Sequence, residues 1–264
     1  MKIRLKIFLC LICASFLAAS CATRQSQELP EKSGKFVPVQ NRKERIGALN
    51  DSVFCISIIV KHKDSVVAKG KSLEKKFAVG TGFIVGSGYL ASALHVEWKA
   101  AQMAKDLKKD TYRIVAWKIF PSGEHLELPI ELFVSDKDTD LAIYRFDDKP
   151  LKENPRFSAI KPLALAEQLP PVGEEVVSIG YYGDYQFPFN SIGNVSMIDK
   201  NEDICSDVTI IPGNSGGPIC SLETGEVFGV TVSVLDLGNE TVRFGIAKRA
   251  SKVRELLQKF ERKN

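Results

Sequence analysis

Short apolar runs rich in β-branched residues recur from residue 53 to residue 246, and glycine, proline or charged residues cut each one off. Runs of that length and composition read as strands. They fall at 53–60, 77–85, 112–120, 127–134 and 141–146, then at 175–179, 193–198, 208–211, 218–221, 227–234 and 242–246. Between the two sets, residues 147–171 are rich in Pro, Lys and Glu and show little periodicity, as a crossing segment does. Two sets of short strands predict an all-β chain built from two small antiparallel β-barrels. Two helical patterns interrupt them. One spans 98–109, with Trp98, Ala101, Met103 and Leu107 as packing positions; the other closes the chain over 251–262, with Val253, Leu256, Leu257 and Phe260 on one face.

The chain has 264 residues, 44% hydrophobic and 26% charged, so there is ample apolar material for a core and disorder is excluded as the main state. Its net charge of +4 is too small to demand a nucleic-acid partner. Part of that charge sits at the N-terminus, where Lys2, Arg4 and Lys6 precede an almost wholly apolar stretch over 7–19. A basic start followed by a short apolar stretch is a signal-peptide pattern, and it falls short of the ~20 residues a membrane-spanning helix needs. Removing residues 1–20 takes three bases and no acid, leaving 33 bases against 32 acids. The stretch ends Leu17-Ala18-Ala19-Ser20-Cys21, small residues directly before a cysteine, which resembles a bacterial lipobox. Cleavage there makes Cys21 a lipidated first residue; ordinary signal-peptide cleavage near Ala22, with Cys21 incidental, is the alternative. Cys10 and Cys13 lie inside the apolar stretch and leave with it. The expected organisation is a signal peptide over 1–20, a flexible tether over 21–45, a first barrel over 46–150, a linker over 151–171, and a second barrel with the closing helix over 172–264.

Three motifs carry chemistry. In Gly213-Asn214-Ser215-Gly216-Gly217-Pro218, glycines let a substrate approach a serine hydroxyl, a weak nucleophile that needs a base. The backbone N–H groups of Gly213 and Ser215 are placed to meet a developing oxyanion. In Leu90-Ala91-Ser92-Ala93-Leu94-His95-Val96, a histidine ends an apolar strand among small residues, a setting that suits a general base. His62 and His125 lie among charged residues and read as surface positions. In Asp136-Lys137-Asp138-Thr139-Asp140-Leu141, Asp140 abuts an apolar strand and is drawn inward, where a carboxylate needs a partner such as an imidazole. Asp136 and Asp138 read as solvated turn residues.

The order His, Asp, Ser resembles that of the chymotrypsin-fold serine proteases. Within them the chain is similar to the protease domain of the bacterial HtrA family over roughly residues 50–250. The supporting strings include Gly80-Thr81-Gly82-Phe83-Ile84-Val85, Val172-Gly173-Glu174-Glu175-Val176-Val177, Ser191-Ile192-Gly193-Asn194-Val195-Ser196 and Phe244-Gly245-Ile246-Ala247. The resemblance implies a chymotrypsin-like double barrel, two six-stranded antiparallel β-barrels with a C-terminal helix. It implies His95 as general base, Asp140 as its orienting carboxylate and Ser215 as nucleophile. It implies an oxyanion hole at Gly213, Asn214 and Ser215, with Asn214 shaping the loop. HtrA proteases usually carry PDZ domains after the protease; with so few residues beyond the closing helix, none is expected here. Asn214 stands where digestive relatives have the aspartate that binds a freed N-terminal amine, so activation by N-terminal cleavage is not expected.

In trypsin-like members an acid six residues before the serine binds basic side chains; here that position is Thr209. The histidine that glutamyl endopeptidases carry on the strand 229–234 is absent. Thr209, Ile210, Ile211, Val232 and Val234 imply a small apolar pocket and cleavage after small aliphatic residues. Cys205 and Cys220 flank the serine loop, where a disulfide and two separately buried thiols are both open. No cofactor or metal is expected, because no His/Cys/carboxylate group has zinc spacing. The expected protein is a serine endopeptidase, exported and held on the bacterial cell envelope by lipid at Cys21, acting on proteins or peptides. A catalytically silent or latent protease-fold lipoprotein, acting as a binding or adhesion protein, is the alternative.

Overall fold

The computed structural model describes residues 39–62, 73–107, 112–157, 160–183, 185–236 and 243–261, and residues 37–264 form one compact unit. The expected signal peptide, Cys21 and most of the expected tether lie outside the described residues.

Strands β1 (Val53–His62), β2 (Leu73–Gly86), β3 (Tyr89–Ala93), β4 (Tyr112–Ile119), β5 (His125–Asp136) and β6 (Leu141–Phe146) close the first barrel in the order β1-β2-β3-β6-β5-β4. Strands β7 (Glu175–Gly180), β8 (Phe189–Ile198), β9 (Ile204–Ser206), β10 (Pro218–Ser221), β11 (Val227–Asp236) and β12 (Arg243–Arg249) close the second as β10-β11-β12-β9-β8-β7. The twelve strands pair antiparallel throughout, so the expected pair of six-stranded barrels is the observed fold.

The strands read as continuous apolar runs because both of their faces are buried. On β1, Phe54, Ile56 and Ile58 fill the first barrel, while Val53, Cys55 and Ile59 face the layer shared with the second barrel. On β6, Ala142 and Tyr144 point one way and Leu141 and Ile143 the other. From the far side Val177, Ile179 and Cys220 meet that shared layer, and Val176 and Ile219 fill the second barrel. The period of two therefore sorts each strand into two cores.

Four helices decorate the barrels among the described residues: α1 (Val39–Asp51), α2 (Leu94–Asp106), α3 (Lys149–Glu153) and α4 (Ala250–Glu261). Helix α4 matches the expected closing helix and sinks Val253 and Leu256 into the shared layer. Helix α2 begins four residues before the expected start. Its buried residues are Leu94, Val96, Ala100 and Ala104, whereas Trp98 is 51% exposed. Of the expected packing positions only Met103 packs on the core, while Trp98, Ala101 and Leu107 are exposed, because the helix starts directly off β3 and turns Leu94, Val96, Ala100 and Ala104 to the barrel.

Two further expectations are corrected. Residues 208–211, read as a strand, are a loop, and the strand is β9 just before them. β9 pairs with β8 and β12, and the chain must then leave the sheet to reach Ser215. Helix α1 occupies the end of the stretch expected to be a flexible tether. Arg42 grips Glu175 through two contacts of 2.8 and 2.7 Å, Arg45 donates to the Leu222 carbonyl at 2.9 Å, and Leu49 is buried. The expected linker 151–171 is likewise anchored. Phe157 and Ile160 are buried, and Ala164 and Ala166 exchange hydrogen bonds with Val227. Cys205 and Cys220 form no disulfide; both are buried thiols.

Lys118 joins α1 to the first barrel. Its ammonium donates to the Asn50 carbonyl at the C-terminal end of α1 and lies over the Phe120 ring. Burial pushes it down from an ordinary 10.5 to about 8, against the opposing pull of the Asp51 carboxylate. The folded chain thus releases this proton before the unfolded chain does. Stability contributed at this site rises from pH 8 to pH 10.5, by about 3 kcal/mol. Urea unfolding at pH 7 and pH 10 is expected to show that rise in the unaltered chain and its loss in Lys118→Met.

Candidate active site

The corner where the barrels meet collects three chain segments. β3 ends at Ala93 and runs straight into α2, which puts His95 in the first helical turn. The turn between β5 and β6 carries Asp140, and the loop entering β10 carries Ser215.

Asp140 is held in the left-handed region at φ 54°, a conformation Asp tolerates better than most residues. Its carbonyl accepts from Leu94 N–H at 2.9 Å, and its Oδ1 accepts from His95 N–H at 2.9 Å. Asp140 thus takes two of the open N–H groups at the start of α2, one with its carbonyl and one with its carboxylate. Its Oδ2 lies 2.6 Å from His95 Nδ1, with the two side chains 28% and 20% exposed. The Nδ1 proton belongs on the Asp140 side, which leaves Nε2 as the acceptor. Neither Asp136 nor Asp138 takes part: Asp136 accepts from Asp138 N–H within the turn.

The serine loop is docked on β2 by hydrogen bonds and lies close against β3. Ser215 carbonyl accepts from Thr81 N–H at 2.9 Å, and Thr81 Oγ1 donates to the Gly213 carbonyl at 2.7 Å while accepting from Tyr181 N–H at 2.8 Å. Gly216, at φ 87°, sits against Ser92 Oγ and the Thr81 carbonyl, and its absent Cβ would lie 2.9 Å from Ala93 N. Ser215 is therefore brought to the residues that lead into His95. Thr81 is the docking residue that sequence reasoning missed; the small-residue string containing it was the available signal.

The N–H groups of the loop divide cleanly. Asn214 donates to Ile211 carbonyl, Gly216 to Thr231 carbonyl and Gly217 to Asn214 carbonyl. Those of Gly213 and Ser215 donate to no acceptor among the described residues. Gly213 holds φ 105°, which only glycine adopts without strain. Asn214, expected at the oxyanion hole, is fully buried against Gly180, and its N–H is spent on closing the turn.

The expected pocket residues are dispersed. Thr209 is exposed, with its N–H on Ser191 Oγ, and Ile210 packs beside Gly245. Val232 is buried in the first-barrel core cluster, and Val234 is 39% exposed. Two residues past His95, burial raises the Glu97 carboxyl, and a hydrogen bond from Tyr144 Oη at 3.1 Å opposes that rise.

The fold and this corner define a double-barrel chain of the serine-peptidase type. The model of the trypsin-like peptidase domain matches residues 80–230, more than half of the sequence, and the chain belongs to that family. It is similar to a probable periplasmic serine endoprotease, DegP-like, of Hahella chejuensis, with 32% identity over 167 residues. That match covers 60% of this chain and 30% of the relative. A protein of the same description from Halomonas elongata is 30% identical over 175 residues, covering 63% and 31%. The chain thus spans about a third of the length of these curated relatives. Among solved structures it resembles the HtrA-type protease AlgW with decapeptide, at TM-score 0.61 and 19% identity over 82% of this chain and 66% of the other. It also resembles Deg5, at TM-score 0.57 and 21% identity over 87% and 95%. These two show the shared fold.

Proposed function

We propose that this chain is a serine endopeptidase of the cell envelope. The observation that carries the proposal is the pair of unspent N–H groups, Gly213 and Ser215, on the serine loop that docks on Thr81; the hydrogen-bonded His95–Asp140 pair supports it. In this scheme Ser215 Oγ attacks the scissile carbonyl carbon and its proton passes to His95 Nε2. Asp140 holds the imidazole in the correct tautomer and stabilises the imidazolium. The oxyanion accepts from the N–H groups of Gly213 and Ser215, each such donor being worth about 2.7–4 kcal/mol in the transition state. Collapse breaks the C–N bond, the amine leaves with the proton from Nε2, and water then cleaves the acyl ester by the same route in reverse.

Cleavage after small aliphatic residues fits the uncharged Thr209 and the adjacent Ile210 and Ile211. Export fits the basic start and apolar stretch of residues 1–19, and both curated relatives are described as periplasmic. Lipid anchoring through Cys21 rests on the small residues that precede it. The full chain is expected to degrade an unfolded protein such as casein, cutting mainly after Val, Ala or Ile, with all cleavage lost in Ser215→Ala. A profile dominated by Arg, Lys or Glu before the cut would refute the pocket assignment. Cys21→Ser is expected to move the protein from the membrane fraction to the soluble fraction, and an unchanged membrane fraction would rule out the anchor.

A further inference from the structure

We propose that Glu97 and Tyr144 are positioning residues for His95: their hydrogen bond fixes the first turn of α2 on β6 and so sets where His95 presents its imidazole. The proposal rests on the peptidase function given above.

The first turn of α2 is attached to one stretch of chain. Leu94 N–H donates to the Asp140 carbonyl and His95 N–H to Asp140 Oδ1, each at 2.9 Å. Both bonds meet a single residue, and the apolar packing of Leu94 and Val96 is non-directional, so rotation of the turn about Asp140 is lightly restrained by these alone. Tyr144 lies four residues further along, on β6, and its Oη donates to Glu97 Oε2 at 3.1 Å. This second polar attachment, away from the first, removes that rotation. Three successive side chains of the turn are then seated: His95 on Asp140, Val96 against Gly80, and Glu97 on Tyr144. An added Cβ at Gly80 would lie 3.1 Å from the Ser215 carbonyl oxygen, so the same turn borders the serine loop.

The residue types suit direction and not filling. Tyr144 is fully buried in the first-barrel core, in register with Leu90 of β3 and Leu132 of β5, where a phenylalanine ring fills the same space. Its hydroxyl is a buried polar group that needs a partner. Glu97 is half-buried between the buried Val96 and the exposed Trp98. Burial pushes its carboxyl up, and the bond from Tyr144 opposes that rise. Burial and Glu97 together hold the Tyr144 phenol well above its usual range, so it stays a donor. Two apolar side chains of similar shape would be about as stable as such a pair. What the pair adds is a fixed angle as well as a fixed distance.

The test follows labelling of Ser215 in the full chain by a fluorophosphonate, over a concentration series that separates the limiting rate from the affinity for the probe. Tyr144→Phe and Glu97→Leu are each expected to lower the limiting rate about tenfold, less than the ~100-fold cost of a 1 Å displacement, with probe affinity changed by less than about twofold. Glu97→Gln keeps an acceptor for Tyr144 and should keep the rate. The double variant Tyr144→Phe/Glu97→Leu should be no slower than either single one, because the two groups act as a pair. Ala100→Gly loosens the same helix one turn on without touching the pair, so it should lower the unfolding midpoint and leave the limiting rate unchanged. An unchanged rate in Tyr144→Phe and Glu97→Leu, additive losses in the double variant, Glu97→Gln as slow as Glu97→Leu, or an equal loss in Ala100→Gly overturns the proposal. An unaltered chain that takes no label removes the peptidase function itself, whereas labelling at the same rate in every variant removes only the positioning role.

Discussion

Asp140→Asn is expected to lower kcat about 10,000-fold while leaving the fold intact. The separation follows from the two jobs of one carboxylate. Its Oδ1 accepts from His95 N–H, and an asparagine carbonyl can do the same. Asn also tolerates the left-handed backbone at this position, φ 54°, as readily as Asp does. Its amide nitrogen, however, would then face His95 Nδ1 where Oδ2 now sits at 2.6 Å. A donor there forces Nδ1 to accept and moves the ring proton to Nε2, which can no longer take the proton of Ser215. The unfolding midpoint should shift by no more than a few degrees, and circular dichroism with steady-state kinetics reads both halves. A variant that loses structure along with activity would mean that Asp140 serves mainly as the cap of α2.

Gly216→Ala is expected to damage stability and activity together. The residue sits at φ 87°, and a methyl group there would run into Ser92 Oγ and the Thr81 carbonyl, which are already hydrogen-bonded to each other at 2.7 Å. The backbone conformation and the overpacking each cost about 1–3 kcal/mol. Together they lower the midpoint by roughly 5–15 °C in a domain of this size. The loop can relieve the clash only by moving Ser215 away from β2 and β3, and a displacement near 1 Å costs about 100-fold in rate. Gly173→Ala provides the contrast. It has φ 90° but nothing within 4 Å of an added Cβ, so only the backbone cost applies and activity should be kept.

Much of the architecture was legible because the strands obey one rule. Residues such as Phe54 and Cys55 alternate between two cores, so both faces had to be apolar, and the runs were visible as runs. Departures came where tertiary demands override local preference. Residues 208–211 are β-branched yet form a loop, because the chain must travel from β9 to the serine. Residues Ile204–Ser206 form the strand with only one strongly apolar member. Helix α1 has no clear apolar face in sequence and is held largely by Arg42 and Arg45, whose partners lie more than a hundred residues away.

The candidate site was legible where chemistry is local. His95, Asp140 and the glycine-rich loop announce themselves by residue type and neighbours, and the structure brings their segments into one corner. Of the expected pocket residues, those on β11 sit differently from their alternation in sequence. Strict alternation puts Val232 and Val234 on one face of β11, but the strand bulges between Thr231 and Ser233 and turns Val232 into the first-barrel core. The Thr81 bridge is invisible for a related reason. It joins residues from separate barrels, and no spacing along the chain encodes that contact.

The most direct measurement of the central claim is the intact mass of the full chain after exposure to a fluorophosphonate, followed by mapping of the modified peptide. A serine activated by His95 displaces fluoride and gains one phosphonyl group. The expected result is one adduct per chain, located at Ser215, absent from Ser215→Ala and strongly slowed in Asp140→Asn. An unmodified chain, or an adduct that persists in Ser215→Ala, would contradict the assignment of this corner as a working active site.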